Sequence, residues 1–161
     1  MELKTIPVRK PADDVGVIVG QAHFIKTVED LYEALAQAVP GIRFGMAFCE
    51  ASGPCLVRHT GTDDALERAA IEAASAIGAG HVFVVMLGNA FPVNVLNPIK
   101  SVTEVCTVFC ATSNPLAVIV AEENGARGVL GVIDGSAPRG VEGASEQKER
   151  HAMLRRFGYK Q

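Results

Sequence analysis

Two short segments put a histidine, a cation and a hydroxyl beside a helix start. In Gln21-Ala22-His23-Phe24-Ile25-Lys26-Thr27, a Val- and Ile-rich run delivers His23 to the mouth of a helix. The free backbone N–H groups and dipole of such a helix attract anions. Lys26 adds a mobile positive charge and Thr27 a hydroxyl, and imidazole that is neutral near pH 7 is a competent nucleophile toward phosphorus. The second segment, Leu56 to Asp64, repeats the design with Arg58 and His59. A guanidinium can fork onto phosphate oxygens, and Gly61 lets the backbone come close to a ligand. Asp63 and Asp64 offer carboxylates to a hydrated Mg²⁺ ion, although acidic residues in the first turn of a helix explain themselves without a metal. Taken alone, each loop also fits a plainer reading, with the histidine packed or capping and the cation solvated.

A third segment, Asn89 to Glu104, concentrates Asn89, Asn94, Asn97 and Lys100 around Phe91. A planar heterocycle needs a flat apolar wall with donors and acceptors at its edge, and a sugar needs amide or carboxylate partners. Equally, Asn97 can cap a helix while Phe91 packs in the core. His81 in a buried-looking strand and His151 on a polar helix face are poorer candidates. There is no GxxxxGK[ST] phosphate loop and no kinase-type glycine loop, so phosphoryl chemistry here would use neither standard machine. Cys49, Cys55, Cys106 and Cys110 lack the two-residue gap of a zinc knuckle and read as buried thiols, with Cys106 and Cys110 on one face of a strand.

The elements that must position these residues follow from periodicity and punctuation. Strands are expected at Leu3 to Val8, Val15 to Phe24, Ile42 to Glu50, Cys55 to Thr60 and His81 to Leu87. Helices are expected at Thr27 to Val39, capped by Thr27 and stopped by Pro40-Gly41, and at Asp63 to Ile77, capped by Thr62 and stopped by Gly78. The resulting β-α-β-β-α-β order is the split βαβ arrangement. A short helix begun by Asn97-Pro98, a strand from Val105 to Ala111, a hairpin turning at Asn124-Gly125 and a helix from Ser145 to Phe157 complete a single α/β (α+β) domain.

Composition narrows the partners. The 161 residues suit one core, and a net charge of −3 with both signs dispersed leaves no footprint for nucleic acid or an anionic membrane. The longest apolar run falls far short of the roughly 20 residues that cross a bilayer, and no signal-peptide stretch is visible, so a cytoplasmic protein is expected. The 48% apolar content, rich in Ala and Gly, is more than a small lone domain readily hides, which points to a closed homo-oligomer.

The stretches from His23 to Leu35, Phe48 to Arg58, Asn89 to Asn97, Val105 to Thr112 and Gly131 to Gly135, with the closing Phe157-Gly158-Tyr159-Lys160, resemble the adenosine-specific kinase family. The resemblance implies adenosine binding and phosphoryl transfer, with ATP or another adenine nucleotide as cofactor and Mg²⁺ expected alongside. It covers His23, Lys26, Glu50, Arg58, Asn89, Asn94, Asn97 and Lys100, and ranks His23 above His59 as a phosphoryl carrier. A non-catalytic sensor of adenosine or AMP is the competing reading, favoured by the missing phosphate loop.

Overall fold

The computed structural model describes residues 1–161 and follows the element order read from the sequence. That order is β1 (Glu2–Val8), β2 (Gly16–Ala22), α1 (Thr27–Ala38), β3 (Phe44–Cys49), β4 (Val57–Gly61), α2 (Asp64–Ile77), β5 (Val82–Leu87), α3 (Pro92–Lys100), β6 (Val105–Thr112), β7 (Leu116–Glu123), β8 (Ala126–Asp134) and α4 (Ala144–Arg156). Five strands form one antiparallel sheet in the order β4-β3-β5-β2-β6, and β1-β7-β8 form a second. Strand β5 lies between β2 and β3, which α1 connects, and β3 lies between β4 and β5, which α2 connects. Both crossovers are therefore split βαβ units.

The five-stranded sheet is covered on both faces, which is why β3 and β5 are buried at every position. On one face Leu31 and Leu35 of α1 and Val95 and Ile99 of α3 pack over Ile18, Phe44, Met46, Phe83 and Val85. On the other, α2 presents Leu66, Ala70, Ala73, Ala74 and Ile77, and the smaller sheet adds Val8, Leu116, Val118 and Val120. The small side chains of α2 let it sit close to β3. A Cβ at Gly45 would lie 2.1 Å from the Glu67 backbone nitrogen, so only glycine fits there.

Several local expectations need correcting. Thr27 is fully buried and its hydroxyl donates back to the Phe24 carbonyl, so it does not cap α1. Thr62 does not cap α2, because its hydroxyl bridges the Ile42 carbonyl and the Phe44 N–H; Asp63 is the cap, accepting from Ala65 and Leu66. Asn97-Pro98 lies inside α3, which begins at Pro92, with the Asn94 side chain accepting the Phe91 N–H at 2.9 Å. The hairpin is as read: Asn124 and Gly125, with φ of 52° and 80°, make its two-residue turn. Cys55 and Cys106 are exposed rather than buried, and register shifts between β2 and β6 break the two-residue period expected to align Cys106 with Cys110.

Candidate functional site

One end of the five-stranded sheet gathers the chemistry. There β2 and β3 end, while β4, β5 and β6 begin: the Ala22 N–H bonds to the His81 carbonyl, His81 N–H to Cys49, His23 N–H to Glu104 and Glu50 N–H to Leu56. His23, Glu50, Arg58, His81 and Glu104 thus share one rim. The first turn of α1 stands over it, and a cleft of about 770 Å³ opens between that turn and β4. Phe24, Ile25, Val28, Leu56 and Val57 supply apolar walls, and Lys26, Glu29, Arg58 and His59 the polar groups. Two segments distant in the chain, both singled out from sequence, form this one cavity.

Its cations are held rather than free. Lys26 Nζ lies 2.6 Å from Asp30 and 3.2 Å from Glu104. The two carboxylates raise the lysine's pKa, Asp30 more than Glu104, and the lysine in turn holds Asp30 below the usual carboxylate range. Glu104 is buried with only 3% of its side chain exposed, and neither oxygen makes a well-formed hydrogen bond. Arg58 is braced by Glu50 at 2.8 Å, and the Leu56 N–H followed by Arg58 lowers the Glu50 pKa. His59 Nδ1 is 2.6 Å from Glu67, which fixes the ring and leaves Nε2 open. His23 is exposed beside Phe24, with ring centroids 6.3 Å apart. The His81 ring, which sequence reasoning set aside, stacks on Phe48 at 5.8 Å.

Other expected contributors lie elsewhere or are already engaged. The N–H groups of Thr27, Val28 and Glu29 close a tight turn onto Phe24, Ile25 and Lys26, so the start of α1 offers fewer free donors than its sequence implies. Gly61 serves packing, since a Cβ there would meet the Phe44 carbonyl oxygen at 2.6 Å. Asp63 caps α2 and accepts from Arg43 at 2.6 Å, Asp64 opens the helix, and no three His, Cys, Asp or Glu side chains are arranged to hold a metal. Asn89 spends its amide on the Arg43 N–H and the Gly41 carbonyl. Asn89, Phe91 and Asn94 follow the far end of β5, about 20 Å from the rim by strand length. There Phe91 lines a separate apolar cavity of about 430 Å³ with Phe157 and Tyr159. Asn97 and Lys100 are exposed on α3.

Fold and cleft together define an α/β domain with a ligand-sized pocket of apolar walls and fixed charges at one sheet end. The chain belongs to the family described as adenosine specific kinase, which residues 6–160 match. It is also similar to the PH1918 protein from Pyrococcus horikoshii OT3, known from a crystal structure, at 47% identity and a TM-score of 0.95, over 99% of this chain and 98% of that one. No functionally curated protein matches it. No helix is long and apolar enough to cross a membrane.

Proposed function

We propose that the cleft between the first turn of α1 and β4 binds an adenine nucleotide and that His23 at its rim accepts the terminal phosphoryl group. The observation that carries this reading is the convergence of the Lys26 and Arg58 segments on one cavity whose volume and mixed lining suit a nucleotide. The base lies against the Phe24 and Leu56 wall, and the phosphates face Arg58 and Lys26. A neutral ring nitrogen of His23 attacks the terminal phosphorus, the bond to the bridging oxygen breaks, and the diphosphate leaves carrying the electron pair. Guanidinium and ammonium groups already braced by Glu50, Asp30 and Glu104 meet the developing charge with little reorganisation. Magnesium would arrive with the nucleotide's own phosphates, because Asp63 is committed to Arg43 and its helix.

His59 is a second candidate, favoured by Glu67, which holds its Nδ1 and leaves Nε2 facing outward for attack. Incubation with ATP labelled at the γ position separates the two. The expected result is acid-labile label lost in His23→Ala and retained in His59→Ala. The reverse pattern moves the carrier to β4. Nucleotide binding without label in the unmodified protein would replace transfer with sensing.

A further inference from the structure

We infer that Asp30 and Glu104 form a binding site for a divalent cation of the Mg²⁺ class, and that the Lys26 ammonium occupies its place. Asp30 stands one turn after Lys26 on α1, and Glu104 precedes β6, where its carbonyl accepts the His23 N–H at 2.8 Å. Both carboxylates close on one Nζ, Asp30 at 2.6 Å and Glu104 at 3.2 Å. No second ammonium or guanidinium pairs with either, so a single positive charge serves two negative ones. The Glu104 side chain is only 3% exposed, and neither of its oxygens has a well-formed hydrogen bond. A buried carboxylate left in that condition is costly, and buried polar groups without partners are rare enough to mark a place where something binds. The two carboxyl groups also lie near enough to influence each other, since Glu104, after Lys26, lowers the Asp30 pKa.

Charge and access argue that the occupant is a divalent ion. A doubly charged cation balances both carboxylates, which the lysine alone does not. The Lys26 and Asp30 side chains are 51% and 33% exposed, so the site opens to solvent on their side while Glu104 closes it from within. A hydrated ion can enter there and keep part of its water, as Mg²⁺ does when one or two carboxylates and phosphate oxygens hold it. That mode of binding needs no third acidic, histidine or cysteine ligand, and none is grouped with these two. Position fits as well. Lys26 lines the cleft of about 770 Å³, and Asp30 lines an adjoining cavity of about 720 Å³ that shares Val28, Glu29 and His59 with it. An ion in place of the ammonium frees the flexible lysine stem to extend into the cleft, where phosphates are proposed to lie. Only this link to phosphates rests on the nucleotide reading; cation binding does not.

Titration of the full chain with Mn²⁺ alone, followed by loss of the free ion's electron paramagnetic resonance signal, tests this. Binding of Mn²⁺ that Mg²⁺ displaces is expected, and Glu104→Gln and Asp30→Asn are each expected to weaken it by about tenfold or more. Lys26→Met is expected to do the opposite, tightening Mn²⁺ by about tenfold because the competing ammonium is gone. Mn²⁺ should also restore the melting temperature that this variant loses, a gain that a merely structural ion pair does not give. Far-UV circular dichroism confirms that the variants fold; should Glu104→Gln not, Asp30→Asn, at a partly exposed position, carries the test. Absence of Mn²⁺ binding at millimolar concentration in both the unmodified protein and Lys26→Met overturns the inference. So does binding that neither carboxylate substitution weakens, or that Lys26→Met loosens. Because no nucleotide is present, each of these results leaves phosphoryl transfer to His23 to be judged by its own labelling.

Discussion

At the scale of single residues, the cleft is built from charges tethered in advance. Glu50 ties Arg58 to the start of β4, and its carboxyl sits below the ordinary range because the Leu56 N–H and then Arg58 favour its charged form. A carboxylate lowered in the folded state contributes stability that is complete above its unfolded value, about pH 4.3, and lost as the pH falls through the lowered one. Glu50→Gln should therefore flatten part of the stability loss between pH 6 and about pH 3, measured by chemical denaturation, and should weaken nucleotide binding at neutral pH. An unchanged acid slope would deny Glu50 its bracing role. Lys26 and Glu104 make a sharper pair. Removing the ammonium in Lys26→Met strands a buried carboxylate, so the melting temperature should fall by about 5 °C or more, and adding Glu104→Gln should restore most of it. Additive losses would show that the two side chains do not interact. Sequence made His23, Lys26 and Arg58 legible, since each stands beside a readable strand end or helix start. Glu104 was not, because its value lies in a contact with Lys26 that only the pairing of β2 with β6 creates.

Elements were legible wherever punctuation is local. The Asn124-Gly125 turn is fixed by two residues that tolerate positive φ, and Gly125→Ala should destabilise the protein by about 1–2 kcal/mol by forcing a Cβ into the left-handed region. A melting curve unchanged by that substitution would mean the turn relaxes freely. Caps were less legible, because Thr62 and Asp63 are both good N-cap types and which one serves depends on Phe44 and Ile42 taking the threonine hydroxyl across the sheet. Asp63→Ala should lower the melting temperature by about 2–4 °C through the lost cap and leave phosphoryl labelling intact. Lost labelling in a folded Asp63→Ala protein would instead return this carboxylate to the list of metal ligands. In α3 the Asn97-Pro98 pair carries a helix-start signal inside a helix, and Phe91-Pro92 with Asn94 overrides it one turn and a half earlier.

At the scale of the whole molecule, what escaped the sequence was non-local: β1 pairs with β7 across most of the chain, and the amide-rich segment runs to the opposite end of the sheet from the two histidine loops. The single purine site suggested by Asn89, Phe91 and Asn94 therefore cannot serve the same bound nucleotide as Arg58 within one chain. That separation sets a test by linkage, since a ligand that binds only the folded state stabilises it in proportion to the logarithm of its concentration over Kd. At a fixed protein concentration, ATP or AMP at about 100 times Kd should raise the melting temperature by about 5–10 °C, and guanine nucleotides should do much less. Fixing the concentration matters because association of copies would itself shift the curve. Arg58→Ala should abolish the shift and Phe91→Ala leave it, if the cleft under α1 is the site. If Phe91→Ala removes the shift and Arg58→Ala does not, the nucleotide sits in the aromatic cavity beside Phe157 and Tyr159, and the braced cations at the rim need another ligand.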